Sequence, residues 1–341
     1  MQPSFPFRSL PTSVSKRLMG VILGAFLLLL CLIYSVTLGA RDIPLHAILA
    51  SFITFDSSYD HLVIQTLRVP RSLMAIAVGA ALAVSGALMQ GLTRNPLSET
   101  GILGIEAGGA LAVVVTLFLF GSSSVSVYAA VAFLGAAIAA VLVYGLGTLG
   151  RGGATPLNLT VAGAAMTALI SSITTAILIV SQRTLEEIRF WLAGSLAGRD
   201  WALFIQVLPF MVGGLLLAFL LGRQITTLNL GEDVARSLGQ NTIFIKVLTA
   251  VSVVLLAGSS VAIAGPIGFV GLIVPHMVRF FIKTDYRWIL PYSAVLGAIL
   301  LLVSDIAARV LLKPQELPVG VMTALVGAPV FVYLAKSKVK R

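Results

Sequence analysis

Charge is scarce in this chain. Only 11% of its 341 residues are Asp, Glu, Lys or Arg, against 58% hydrophobic, whereas a soluble domain carries about 25% charged residues. That ratio, with a mean hydropathy of +1.03, excludes a water-facing globule. Cysteine is nearly absent too: Cys31 stands alone in an apolar run, so no disulfide framework exists. His46, His61 and His276 are scattered and leave no ligand set at metal-binding spacing. No G-x-x-x-x-G-K-[ST] phosphate loop occurs, and H-E-x-x-H, C-x-x-C and G-x-S-x-G are missing. Neither a catalytic residue, nor a metal, nor a cofactor is expected.

What the chain does have is long apolar runs. Stretches near 18–38, 70–92, 101–120, 125–149, 157–180, 201–222, 243–264, 288–312 and 318–335 approach or exceed the roughly 20 residues a bilayer requires. A tenth, 267–282, is short; it follows Gly265-Pro266 and holds Gly268, Gly271 and Pro275. Irregular backbone of that kind belongs among neighbouring helices, away from lipid. Lys16-Arg17 before an apolar run imitates a signal peptide, but Leu18–Leu38 is long for one and is expected to stay as the first span. The expected organisation is a tail (1–17), a ten-helix domain (18–336) with a polar insert near 228–241, and a tail (337–341).

The sparse charge is unevenly distributed. With an even number of spans and the N-terminus inside, 15 of the 23 basic residues fall on the cytoplasmic side and 8 outside. That bias favours both termini in the cytoplasm. The net charge of +10 is therefore a topological signal and not a nucleic-acid footprint; the surroundings are lipid.

Gly231–Gln240 is a rare charged, helix-compatible stretch. Glu232 and Asp233 come early and Arg236 in the next turn, which suits the helix dipole. An exposed polar helix between two spans suits a soluble partner; the alternative is an ordinary solvated loop. Intramembrane acids are few. Asp305 is four residues from Arg309 and is expected to pair with it locally, and Glu106 is expected near the interface. A secondary transporter coupled to an ion gradient would need more such acids and no insert. A membrane-embedded enzyme would need a nucleophile or an acid–base pair.

Five segments in order resemble the permease of binding-protein-dependent ABC importers for ferric siderophores, haem and vitamin B12, the FecCD type. They are LRVPRSLMAIAVGAALAVSGALMQGLTRNPL (67–97), GILGIEAGGAL (101–111), LNLGEDVARSLG (228–239), AGPIGFVGLIVPHMVRF (264–280) and LLVSDIAARVLLKPQELPVGVMTALVGAPVFVYL (301–334). The resemblance implies an all-α permease of type II importer architecture, with ten spans and an inverted repeat. It also implies pairing with a second copy or a paralogue. A cytoplasmic ATPase dimer and an extracytoplasmic substrate-binding protein would be the partners, in a bacterial cytoplasmic membrane. Ferric siderophore is the favoured cargo, with vitamin B12 or haem on the same machinery as the alternative.

Carried over residue by residue, the resemblance gives Gly231, Glu232, Asp233, Arg236, Leu238 and Gly239 to ATPase coupling. Arg68, Arg71 and Arg309 would dock the binding protein, whose acids a planar guanidinium fork suits; snorkelling, or pairing of Arg309 with Asp305, is the plain alternative. Thr155 and Pro156, in the loop Arg151–Leu157, are inner-gate candidates beside the reading of a simple Gly/Pro turn. His276 is expected to be structural. One departure is that Leu97-Ser98-Glu99-Thr100-Gly101 lacks the proline usual before the glycine, which should loosen the turn.

Overall fold

The computed structural model describes residues 14–39, 43–121, 124–149, 155–313 and 315–339. It is helical, with no strand among the described residues. In order the helices are α1 (Val14–Thr37), α2 (Leu45–Ile53), α3 (Tyr59–Val63), α4 (Val69–Leu92), α5 (Ile105–Phe120), α6 (Val125–Thr148) and α7 (Pro156–Val180). They continue as α8 (Gln182–Leu192), α9 (Trp201–Asn229), α10 (Glu232–Ser237), α11 (Thr242–Ala264), α12 (Val270–Ile282), α13 (Tyr286–Val310) and α14 (Val319–Val339). Seven stretches are long and apolar enough to cross a membrane. Three more, α5, α12 and Val319–Val332 of α14, are apolar but shorter. Together they coincide with the ten runs of the sequence. Residues 1–13 and 340–341 of the expected tails lie outside the described residues.

Polar residues at the ends of the runs start the helices. Ser124, Thr155, Ser181, Asp200, Asn241 and Asp285 each accept a backbone N–H of the first turn through their side chains. The spans divide five and five around α8. An odd number per half means that the second half enters the bilayer from the opposite side, the geometry of an inverted repeat.

Helix α4 is the centre, packed by α13, α11, α12 and α9. Small residues on all its faces, including Gly79, Ala80, Ala83, Ser85, Gly86 and Ala87, let backbones approach closely. At Gly86 a Cβ would strike the backbone of Gly271, so α12 crosses α4 where neither helix has a side chain. In contrast, only 11% of the apolar stretch of α1 and of α7 is buried, so the rest of the chain leaves most of their surface uncovered.

Two ends can be distinguished by contact. At one, Arg17 meets Asp285 at 3.3 Å, Asn229 reaches the Gly91 carbonyl, and Arg94, Tyr144 and Thr155 share a cavity with α10. At the other lie Arg68, Arg71, residues 196–199, Arg309 and Glu316. These are the two sides that the distribution of basic residues separates.

Candidate functional site

At the arginine end, α3 runs into α4 through a π-helical turn, Ile64–Arg68. Such turns accompany functional sites, and this one leaves Arg68 buried beneath the last turn of α1. Its Nη1 donates to the Val36 and Thr37 carbonyls, both at 2.7 Å. One turn on, Arg71 grips Asp305 with Nε and Nη2, and its Nη1 meets Glu316 at 2.6 Å. Asp305 also holds Arg309 Nη2 at 3.1 Å, the local pair that the spacing of four predicts. Arg309 donates further to the Ser35 and Leu38 carbonyls and to Ser35 Oγ.

The three arginines are thus brought together, but not as free hooks. Arg68 is 7% exposed and Arg309 4%, and both are committed to internal acceptors. Arg71 is the most accessible of the three, with 14% of its side chain exposed. A cavity of about 360 Å³ opens over them, lined also by Asp60, Arg199 and Glu316.

At the opposite end the insert folds as a short helix on a fixed base. Gly231 precedes α10 with φ +132°, and Gly239 follows it with φ +80°, conformations that favour glycine. Ala235 is fully buried at the foot of the helix. Glu232 does not face outward: it accepts from Lys246 Nζ at 2.7 Å, from Arg236 at 2.8 Å and from Thr242 at 3.2 Å. Those bonds, Lys246 first, hold its carboxyl below the ordinary 4.5. Asp233, Val234, Arg236 and Leu238 remain exposed.

The inner-gate candidates adjoin this insert. Thr155 caps α7, its Oγ1 accepting the Asn158 N–H at 3.2 Å, and Pro156 begins the helix. Residues 151–154 of that loop lie outside the described residues. Thr155 and Gly231, Glu232, Asp233 and Arg236 line one cavity of about 850 Å³, with Arg94, Tyr144 and Lys246.

A model of the FecCD transport family matches residues 27–337. The chain belongs to that family. The permease is 48% identical to the Bacillus subtilis (strain 168) "Probable siderophore transport system permease protein YfiZ", covering 96% of this chain and 98% of that protein. It is 45% identical to the iron(3+)-hydroxamate import system permease protein FhuB of the same organism, over 93% and 83% of the two chains. Among solved structures it resembles one described as an inward-facing metal-chelate type ABC transporter. There the TM-score is 0.83 at 28% identity, over 94% of this chain and 99% of that one. The permease is accordingly a multi-span membrane protein of the ABC-importer class.

Several polar residues of the permease escape sequence reasoning. Arg279 bonds Gln90 and the Tyr286 hydroxyl, and Gln90 in turn reaches the Gly271 and Leu272 carbonyls, clamping α4 to α12 and α13. Thr100, where the family's proline is missing, donates Oγ1 to Glu106 at 3.0 Å, so the departure supplies that carboxyl with a donor. His276 lies edge-on to Phe280, with ring centroids 5.2 Å apart. Nothing in the α11 run marks Lys246, and only tertiary proximity gives it Glu232; Arg199 bonds locally, to the Ser195 carbonyl four residues back.

Proposed function

We propose that this permease forms, with a second copy or a paralogue, the membrane path of a binding-protein-dependent importer of ferric siderophores, powered by a separate ATPase dimer. The observation that carries the reading is the insert. A six-residue helix is held rigidly at its base by Glu232 and Ala235 and offers Val234, Arg236 and Leu238 to solvent. An exposed mix of apolar and cationic side chains on a fixed stem suits a protein groove. Its cavity is shared with Thr155, so displacement of α10 by the ATPase would be felt at the inner gate, Thr155-Pro156. ATP binding then biases a two-state opening that both elements contact.

In this reading the insert and both termini face the cytoplasm of a bacterium, in agreement with the bias of basic residues. The arginine end faces outward and receives the binding protein. Arg71 would exchange Glu316 for a partner's acid, while Arg68 and Arg309 fix the platform on which Arg71 stands. The named transport activities of YfiZ and FhuB support an iron-chelate cargo.

The test is uptake. Cells lacking the gene, with and without a restored copy, receive labelled ferric siderophores, haem and cobalamin in parallel under iron limitation. Restored siderophore uptake is the expected result. Restoration of cobalamin or haem uptake instead would keep the machinery and replace the cargo; restoration of none, with the ATPase and any paralogous permease co-expressed, would overturn the assignment.

A further inference from the structure

Five cations gather at the end of the molecule that carries α10, on a different edge from the insert. They are Lys16 and Arg17 on α1, Arg223 on α9, and Lys283 and Arg287 at the α12–α13 turn. None of them lines the cavity beside α10. Tertiary contacts bring them together. Arg17 Nη1 meets Asp285 at 3.3 Å, and the Tyr292 hydroxyl donates to the Arg17 carbonyl at 2.8 Å. A Cβ added at Gly222 would lie 3.2 Å from Arg287 Cα, so the residue before Arg223 abuts the start of α13. Asp285 is the acid of this group, and it is already engaged: Arg287 donates to both its oxygens at 3.0 Å, beside Arg17. Lys16, Arg223 and Lys283 are exposed, and no acid among the described residues meets them.

The depth of this cluster follows from its neighbours in sequence. Lys16-Arg17 stands just before the apolar run 18–38, Arg223 just after 201–222, Lys283 just after 267–282 and Arg287 just before 288–312. The margin of an apolar run is the headgroup level of a bilayer, where basic side chains lay their stems on apolar surface and carry their charge to phosphate. The last turn of α12 exposes Phe280 and Phe281 beside Lys283, and Trp288 lies partly buried beside Arg287. Aromatic side chains of this kind mark the membrane–water boundary. A phospholipid can use both parts of such a surface, its phosphate on the cations and its acyl chains on the aromatic rim. A free phosphate has no use for the rim.

We propose that this cluster binds an anionic phospholipid, whose headgroup is held by Lys16, Arg223 and Lys283 and whose acyl chains lie beside Phe280 and Phe281. The inference goes beyond the importer reading and does not depend on it, since it needs only a chain that spans a bilayer. Its consequence is mechanical. Only 11% of the apolar stretch of α1 is buried, and a phosphate shared between α1 and the α12–α13 turn adds a tie beside the Arg17–Asp285 pair.

The experiment uses the full-length permease in bilayers of phosphatidylcholine mixed with phosphatidylglycerol. Trp191→Phe and Trp201→Phe leave Trp288 as the sole tryptophan, a reporter within the cluster. Its quenching by brominated phosphatidylglycerol, compared with brominated phosphatidylcholine, gives the ratio of the two affinities there. That ratio should be at least about fivefold in this parent and fall towards one when Lys16→Ala, Arg223→Ala and Lys283→Ala are combined. Lys16→Arg with Lys283→Arg, which keeps the charge, should retain the preference. In phosphatidylcholine alone the parent and the triple alanine variant should melt together, and only the parent should gain from added phosphatidylglycerol. A ratio below about twofold in the parent, or a preference that survives the triple substitution, overturns the proposal. So does loss of ATPase co-purification in the triple variant with the lipid preference intact, which would give the cluster to a protein partner.

Discussion

Arg71 and Asp305 are 234 residues apart in sequence, and in the fold they form a two-point ion pair. Nε lies 3.0 Å and Nη2 2.9 Å from the same carboxylate oxygen, with Nε also 3.2 Å from the other. Asp305 is fully buried and holds Arg309 as well, so two guanidinia share one carboxylate at the junction of α1, α4 and α13, with Glu316 as a second acid on Arg71.

Asp305→Asn should therefore be costly. It removes the charge but leaves Arg71 and Arg309 in place, and breaking a buried pair from one side costs about 3–5 kcal/mol. The expected outcome is a markedly lower thermal midpoint of the detergent-solubilised permease, followed by tryptophan fluorescence. A midpoint within a degree or two of wild type would show that water already solvates the site.

The crossing of α4 and α12 is a separate weak point. Gly86→Ala places a methyl on the backbone of Gly271, and overpacking of this kind costs about 1–3 kcal/mol where the neighbours can yield. Here the neighbour is main chain. The fraction remaining monodisperse after a brief heat step should fall well below wild type, whereas Gly213→Ala, with nothing within 4 Å of the new atom, should leave it unchanged.

The insert should respond to acid in a defined direction. Lys246 and its other partners lower the folded-state pKa of Glu232 below 4.5, so its contribution to order is complete above the unfolded value. It disappears as pH falls through the depressed one. A fluorophore on Leu238→Cys, in a Cys31→Ser background, should keep its anisotropy from neutral pH down through the ordinary carboxylate range and lose it below. In Lys246→Met the loss should begin at higher pH. Identical profiles for the two proteins would remove Lys246 from the base of the insert.

Coupling is tested at the exposed face. Arg236→Glu with Leu238→Ala spares the buried Ala235 and the Glu232–Lys246 pair, although it removes the Arg236–Glu232 contact; it reverses a charge and trims the most exposed apolar side chain of the insert. ATP-driven uptake should fall at least about tenfold, with permease abundance close to wild type, consistent with loss of an interface hot spot worth about 1.4 kcal/mol or more. Normal uptake by this double variant would move the ATPase contact elsewhere.

Much of this fold is legible along the chain because a bilayer imposes a simple rule: apolar runs of span length become helices, and the ten runs do so close to their expected limits except at α9, which runs seven residues past 222 to Asn229. The pair Asp305–Arg309 is legible for a similar reason, being one helical turn apart. The short helices α2, α3 and α8 are not, since they lie in connections where neither run length nor a strict apolar period marks them. Glu232 illustrates the limit at the insert. Its position early in a helix predicts a dipole contact and an outward face, whereas Lys246, 14 residues away on α11, draws it inward.

The sequence by itself determined the membrane class, the ten apolar runs that become helices and the existence of a polar insert, because hydropathy and charge act locally and add along the chain. Only the tertiary structure decided what the arginines do. Whether a guanidinium meets a carbonyl, a carboxylate or open solvent depends on which distant helix ends converge on it. Small residues along α4 bring α9, α11, α12 and α13 close enough to build that convergence, leaving Arg68 and Arg309 inside the framework and Arg199 at its open rim.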